Sequence, residues 1–279
     1  MTDPSFFNVI LVWPILNILV GVYKLLLYVH IPYALGFSII LLTIIIRFIL
    51  YPLISAQLRA SKKMQEAAPH ISKLKEIHKG DAKRLQAETM RLYKERGINP
   101  LAGCLPVIVQ LPIIWALYYV LQQIVDLKQN MVVSQINKIV YFDWLRLTDG
   151  WDSSFFGLPL GASPSSLFAK VGPLVILVPV LTGFFQFLLS KMLVNPQPQA
   201  KPQEKEKQKK DDFGSAFQAQ SMYIFPIMIG FFSYTFSIGL SLYWNTFTIF
   251  GIIQQYKILG LGGLASWKNK IFSPNKIQK

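Results

Sequence analysis

Arg47 lies within an apolar run, residues 34 to 54, that has the length of a membrane-spanning helix. A guanidinium near the middle of such a helix costs about 2.5 to 3.5 kcal/mol on insertion scales. An intramembrane carboxylate commonly offsets such a charge, yet none of the other apolar segments contains an acid. The sequence therefore predicts that water or a passing ligand compensates Arg47.

Other polar groups occur at membrane depth. Thr43 precedes Arg47 by one helical turn, so the two share a helix face. A single uncharged polar residue in a membrane helix more often forms a hydrogen bond to a neighbouring helix. Several such residues, together with one cation and no anion, instead predict a hydrated cavity with a positive charge. Arg47 lies about 20 Å from the outer end of its run and about 10 Å from the inner end, so the cavity should open inward. The other polar residues are Gln110, Gln186, Asn245, Thr246 and Thr248, beside Trp244.

A simpler alternative for Arg47 remains open. A long side chain about two turns from the helix end can extend to the inner interface, and this snorkelling would need no cavity. Against this, an arginine that only anchors the helix would normally lie a turn nearer its end, where residues 55 to 59 already mark the boundary.

Catalytic patterns are missing from the sequence. There are one Cys and three His, and neither Gly-x-Ser-x-Gly, His-Glu-x-x-His nor a P-loop occurs. A proton-coupled transporter would need an acid or a histidine within its spans. We therefore expect no enzymatic activity, no catalytic residue, no metal site and no cofactor.

The run before Cys104 looks like a lipoprotein cleavage box. Because it lies so far from the N-terminus, we expect Cys104 to be a small buried thiol instead.

Composition indicates an all-α polytopic membrane protein, since mean hydropathy is +0.39 and 52% of the residues are hydrophobic. The predicted spans are 33–55, 99–123, 171–192, 216–236 and 239–258. Of the 28 Lys and Arg residues, 11 fall in 55–99, 6 in 191–216, 5 after Tyr256 and only 4 in 124–170. The positive-inside rule thus predicts that the loop 124–170 is extracytoplasmic and the tail 259–279 cytoplasmic.

The connecting segments differ in character. Residues 56–98 carry a thin apolar stripe, and a turn at Gly80, an N-cap at Asp81 and a stop at Gly97 predict a mobile cytoplasmic helical hairpin. We expect Pro69 to interrupt its first helix. The polar segment 193–215 is predicted to be a disordered cytoplasmic loop.

The N-terminal region, residues 1–32, allows two interpretations. Its apolar stretch is broken by Asn8, Pro14, Asn17 and Lys24, and no basic residue precedes it. We favour an interfacial helix on the outer face. The alternative is an additional span with its N-terminus inside.

Several runs resemble the YidC family of membrane protein insertases, in the same order along residues 8 to 258. They are TIIIRFILYPL at 43–53, YKERGINPLAGCLP at 93–106 with QLP at 110–112, and GLSLYW at 239–244 with IQQ at 253–255. We expect this chain to be a short form of the family, without the large periplasmic domain of Gram-negative members. We also see no N-terminal lipoprotein cysteine.

The resemblance implies a five-helix insertase core with a cytoplasmic hairpin and an external amphipathic helix before the first core span. It further implies a hydrophilic groove, open to the cytoplasm and to lipid, in which Arg47 is the essential-type arginine and Thr43, Gln110 and Trp244 are groove residues. To these we add Gln186 and Asn245 from their predicted depth.

The implied function is the insertion and folding of nascent membrane proteins with short acidic extracytoplasmic tails, without nucleotide hydrolysis. Expected partners are these substrates, the ribosome and the lipid bilayer, with the Sec translocon as a further candidate. We expect a functional monomer in the bacterial plasma membrane, with its N-terminus outside and its C-terminus in the cytoplasm. Two rivals remain: an anion channel that uses Arg47 for selectivity, and a scaffold whose polar residues only join helices.

Overall fold

A computed structural model describes residues 2–99, 105–126, 129–193 and 213–265, and this part of the chain is predominantly helical. A two-stranded antiparallel hairpin, β1 (Ser154–Phe155) and β2 (Leu158–Pro159), interrupts the helices. One π-helical turn at Asn8–Val12 precedes α1, and short 3₁₀ turns occur at Asp143–Leu145, Pro173–Ile176 and Gly262–Leu264. The helices are α1 (Trp13–Tyr28), α2 (Ala34–Ile77), α3 (Ala82–Glu95), α4 (Leu105–Asp126), α5 (Gln129–Asn137), α6 (Pro164–Val171), α7 (Leu177–Leu193), α8 (Phe213–Thr235) and α9 (Ile238–Leu259).

Several of these helices suit a bilayer. Among the described residues, three segments are long and apolar enough to cross a membrane: Asn8–Tyr28, Ala34–Ile77 and Pro173–Leu193. Shorter apolar helical stretches lie at Val109–Gln122 and Met222–Thr235. The predicted all-α class of membrane protein is confirmed. The predicted disordered loop 193–215 lies almost wholly outside the described residues, as do Cys104 and most of the basic tail 259–279.

The helix that carries Arg47 does not stop at the inner end of its apolar run. α2 has 44 residues and is therefore about 66 Å long, twice the roughly 30 Å of a hydrocarbon core. The expected interruption at Pro69 is wrong, because α2 continues through both Pro52 and Pro69. A proline removes one backbone hydrogen bond, but its fixed φ suits a helix. Tertiary contacts support this stretch: Ala67 is fully buried, and Gln65 donates to the Leu193 carbonyl of α7 at 2.8 Å.

The turn of the hairpin matches the sequence prediction. Asp81 caps α3 by accepting a hydrogen bond from the Arg84 amide at 3.0 Å, which confirms the N-cap. Gly97 has a φ of +61° just beyond the end of α3, which confirms the predicted stop. None of the residues of α3 is buried, although partial burial raises the pKa of the Tyr93 phenol. Helix α3 is therefore held weakly.

Helix α9 is central to the core, packed between α2 and α7. Helices α7 and α8 form the most extensive pair. Gly183 and Gly230 face each other across this pair, and a Cβ atom on Gly230 would lie 3.3 Å from the Pro179 carbonyl oxygen. Small residues thus let these two backbones approach closely, as is common between membrane helices.

A layer built from residues 137 to 162 covers one end of the core. Asn17 of α1 donates to the Ile139 carbonyl at 3.1 Å and accepts from the Tyr141 amide at 2.7 Å. Lys24 donates to the carbonyls of Trp144 and Arg146 at 2.6 and 2.8 Å. The loop after β2 accepts hydrogen bonds from the first amides of α9, which have no partner within the helix: Gly239 N–H bonds to the Leu160 carbonyl and Ile238 N–H to the Ala162 carbonyl.

A glycine of α2 is required where this layer touches the core. A Cβ atom on Gly36 would overlap the Phe155 ring, whereas one on Gly21 of α1 would make ordinary contacts of 3.6 and 3.8 Å. We expect Gly36→Ala to lower the free energy of unfolding by about 1 to 3 kcal/mol through overpacking, and Gly21→Ala to leave it unchanged or slightly higher. Thermal unfolding in detergent measures both.

A double variant shows whether the cost of Gly36→Ala comes from the clash with the Phe155 ring or from the alanine itself. Gly36→Ala should cost less when Phe155→Ala has already removed the ring. Equal costs in both backgrounds would contradict the proposed close approach.

Candidate functional site

Arg47 is deeply buried, with only 3% of its surface exposed, and α9 provides its surroundings. Its Nη2 donates to the Phe247 carbonyl oxygen. The guanidinium carbon lies 3.4 Å from the centroid of the Phe247 ring and 5.8 Å from that of Phe250. Arg47 is therefore stabilised by a carbonyl dipole and by the electron-rich faces of aromatic rings, an attraction that strengthens away from water.

The close contact between α2 and α9 depends on a second glycine. A Cβ atom on Gly251 would lie 2.8 Å from Arg47 Nη2 and 3.4 Å from a Leu189 methyl group of α7. Gly251 thus provides the space into which the guanidinium fits. Tyr243, Phe247 and Gly251 follow one another at four-residue spacing, so they form one stripe on α9.

Part of the guanidinium remains without a partner. Within the described residues, Arg47 Nε is buried and has no hydrogen-bond acceptor. The ion pairs Arg91–Glu95 and Arg146–Asp143 lie on exposed surfaces away from it. The sequence predicted water or a ligand as the only compensation and missed the ring and the carbonyl of Phe247. The four-residue spacing of Tyr243, Phe247 and Gly251 was the sequence signal that could have indicated these contacts.

Two other predicted site residues make their hydrogen bonds to groups other than Arg47. Thr43 is fully buried, and its hydroxyl donates to the Ile39 carbonyl of its own helix at 2.6 Å. Gln110 of α4 donates to the Tyr243 hydroxyl at 2.8 Å, and the Tyr243 ring lies 5.8 Å from that of Phe247. A chain of contacts therefore joins α4 to α2 through α9.

Three other polar residues named from the sequence meet where α7 packs on α9. The Gln186 side-chain oxygen accepts from the Trp244 indole at 3.3 Å and from the Thr248 hydroxyl at 3.5 Å. The Asn245 side-chain oxygen is buried without a partner among the described residues. The predicted groove residues are thus distributed along α9, with Arg47 on the side of α2, Gln110 on the side of α4 and Gln186 on the side of α7.

Two further glutamines, absent from the predicted site, lie on α9 toward the end of the core nearest the hairpin. Gln254 donates to Ser55 Oγ at 3.1 Å and to the Tyr51 carbonyl at 3.2 Å, and Gln255 donates to the Met192 carbonyl at 3.4 Å. Both side-chain oxygens are buried and unpartnered in the described part of the chain. Together with Arg47, they extend a polar path along α9.

A cavity of about 330 Å³ lies between α4, α7, α8 and α9. Its walls are mostly apolar, but Ser233 bonds to the hydroxyls of Thr182 at 3.1 Å and Ser241 at 2.9 Å. Trp244 is the predicted site residue that borders it. Across the described ranges, no group of His, Cys, Asp or Glu is arranged to hold a metal ion. The lining residues are Ile114, Trp115, Tyr118, Thr182, Ile229, Phe232, Ser233, Phe236, Leu240, Ser241 and Trp244.

Comparison with known proteins decides the family. Residues 26–260 match the model of the family described as 60Kd inner membrane protein. The chain belongs to this family. Membership in an inner membrane protein family, together with several apolar helices, agrees with a multi-pass membrane protein.

Relatives in the family carry the name that the sequence motifs suggested. A protein of Fusobacterium nucleatum named "Membrane protein insertase YidC" is 34% identical over 230 residues, which cover 81% of this chain and 87% of that protein. A protein of Rickettsia felis with the same name is 33% identical over 227 residues, covering 80% of this chain and 35% of its own length. The resemblance to the YidC family is therefore confirmed, although the chain spans only about a third of the Rickettsia relatives.

A solved structure shares the fold. The structure entitled "Active YidC insertase crystal structure with the first transmembrane domain resolved" superposes with a TM-score of 0.54 at 23% identity. The match covers 90% of this chain and 47% of that one.

The contact between Gly251 and Arg47 predicts a specific coupling. We expect Gly251→Ala to lower the free energy of unfolding by about 1 to 3 kcal/mol, because the added methyl group displaces the guanidinium from Phe247. The loss should shrink when Arg47→Ala has already vacated the space. Thermal unfolding of the two single variants and the double variant tests this, and strictly additive losses would contradict it.

Proposed function

We propose that this chain is a membrane protein insertase in which Arg47 receives acidic residues from the short extracytoplasmic tail of a nascent membrane protein. The observation that carries the proposal is the buried guanidinium with an unpartnered Nε donor. An unmet buried donor is unfavourable by about 1 to 3 kcal/mol, and more for a charged group. A carboxylate that binds there satisfies the donor and neutralises the charge in one step.

Electrostatics makes this site selective for acidic groups. A carboxylate that enters a low-dielectric region is unfavourable by itself, and a fixed cation within a few ångströms offsets much of that penalty. The two ion pairs described above are remote from Arg47, so neither holds a carboxylate that would compete for it. The acidic tail would therefore cross in two shorter steps, pausing at Arg47.

The proposed driving force is burial of the substrate's apolar segment in lipid, so no nucleotide is required. We place Arg47, Thr43, Gln110, Trp244, Gln186 and Asn245 in a hydrophilic groove that opens to the cytoplasm when α4 moves away from α9. The unpartnered oxygens of Gln254 and Gln255 support hydration at its inner end. The apolar cavity between α4 and α8 would accept the apolar part of the substrate.

The proposed partners follow from charge and position. Residues 56–98 and the tail 259–279 are rich in Lys and Arg, which favour contact with the RNA of a ribosome. We propose that the chain acts as a monomer in the bacterial plasma membrane, alone or beside the Sec translocon.

The electrostatic role of Arg47 is testable with the purified protein alone in liposomes. We expect Arg47→Ala to reduce insertion of a small acidic-tailed substrate about tenfold or more, and to spare the same substrate with a neutral tail, because only the acidic tail uses the charge. Arg47→Lys should be intermediate, since it keeps the charge but loses the planar fork. Protease protection of the tail measures insertion, without added nucleotide.

Arg146→Ala is the matched control, since it removes an exposed arginine of the outer layer. Equal losses for both tails with Arg47→Ala would contradict the electrostatic role. A steady anion conductance of the wild-type protein in planar bilayers would instead favour a channel.

We further propose that α1 lies on the outer face of the membrane. Asn17 in its middle and Lys24 near its end both bond to backbone groups of the segment 139–146. These positions are about 10 Å apart along the helix. If α1 spanned the bilayer, this irregular backbone would lie at the membrane centre, where each unsatisfied group costs several kcal/mol. With α1 outside, five spans starting outside would place the C-terminus in the cytoplasm.

Cysteine labelling in intact cells distinguishes the two placements of α1. In a Cys104→Ser background, we expect a membrane-impermeant maleimide to label both Asp3→Cys and His30→Cys from outside, because an interfacial helix keeps both ends on one side. Lys83→Cys at the hairpin tip should react only after permeabilisation. Labelling of residues 3 and 30 from opposite sides would show that α1 is a span.

A further inference from the structure

Phe247 contacts Arg47 in two ways at once. Its ring covers one face of the guanidinium at 3.4 Å, and its backbone carbonyl accepts a hydrogen bond from Nη2. The ring is itself held by Tyr243, whose ring centroid is 5.8 Å away and whose hydroxyl accepts from Gln110. Phe247 therefore packs against a buried ring of its own helix as well as against the guanidinium.

From this geometry we propose that Phe247 is a positioning residue, which holds the Arg47 guanidinium at its depth in the membrane and leaves the Nε edge free for a carboxylate. The inference rests on the proposed function and extends it to a residue outside the predicted site. Phe247 would act through Arg47 and need not touch the substrate.

The alternative position of the arginine side chain explains why a ring is needed. Arg47 lies about 10 Å from the inner end of the apolar run, and a long side chain can extend toward the interface. The Phe247 carbonyl alone would not prevent this, because water at the interface offers equivalent acceptors. The stacked ring adds an attraction that exists only at this depth and that grows as water is excluded.

The same stacking restricts how an anion approaches. A guanidinium is planar and donates its hydrogen bonds within that plane. With one face covered by the Phe247 ring and Nη2 bound to the carbonyl, the buried Nε is left as a donor without a partner among the described residues. When the proposed groove opens, a planar Asp or Glu carboxylate that enters in the guanidinium plane meets this donor directly.

Two measurements on the full-length protein in liposomes test the inference. The first is the ratio of insertion of an acidic-tailed substrate to that of its neutral-tailed counterpart. The second is the rate at which phenylglyoxal modifies Arg47, followed by mass spectrometry of the peptide that contains it, and this needs no substrate. We expect Phe247→Leu to lower the ratio about three- to tenfold and to increase the modification rate, because the guanidinium is released toward water.

Conservative and remote variants provide the controls. Phe247→Tyr keeps an aromatic face and should retain both the ratio and the slow modification. Phe231→Leu removes an aromatic ring that is 62% exposed on α8, and should change neither measurement. Thermal unfolding of each variant verifies that it is folded.

The outcomes separate this inference from the proposed function. If Arg47→Ala abolishes the acidic preference but Phe247→Leu leaves the ratio and the modification rate unchanged, the role of Phe247 is overturned and the proposed function stands. A Phe247→Leu variant that loses both substrates equally has only a structural role, which also overturns the inference. If Arg47→Ala leaves the preference intact, the proposed function fails, and faster modification in Phe247→Leu would still support positioning of Arg47.

Discussion

The burial of one guanidinium constrains how the core of this protein packs. Arg47 cannot remain between α2 and its neighbours unless part of its charge is compensated and the helices approach closely. Phe247 provides an aromatic face and a carbonyl oxygen, while Gly251 leaves space for Nη2. These features belong to one face of α9, so the register of α9 against α2 follows from the position of the arginine.

The rest of the core is joined by small and polar groups on one side and by apolar packing on the other. Helices α7 and α8 meet through Gly183 and Gly230, and hydroxyl contacts join them to α9. Helix α4 buries Leu117 and Val120 in the apolar core, and its Gln110 bonds to Tyr243 of α9. The apolar cavity lies beside α4. Movement of α4 away from α9, as the proposed function requires, would enlarge this cavity but would also have to break the bond to Tyr243.

The two ends of the core also differ. Around residues 137–162, backbone hydrogen bonds and the Phe155 contact with Gly36 cover one end with an ordered layer. Toward the hairpin, the core contains glutamines with unpartnered oxygens and continues into the exposed, weakly held helix α3. In the proposed function, an acidic tail that enters from the hairpin side would meet polar groups first and the ordered layer last.

Local chemistry determined what could be predicted from the sequence. Apolar runs, the distribution of Lys and Arg, the Asp81 cap and the Gly97 stop depend on neighbouring residues, and together with the family motifs they established the fold class and singled out Arg47. The tertiary structure decided what compensates Arg47, because Phe247 and Gly251 lie about 200 residues away in the chain. It also decided that α2 continues through Pro69, where the burial of Ala67 and the bond from Gln65 to Leu193 support the helix. Compensation of a buried charge depends on which atoms lie within a few ångströms, and only the packing of helices distant in sequence determines that.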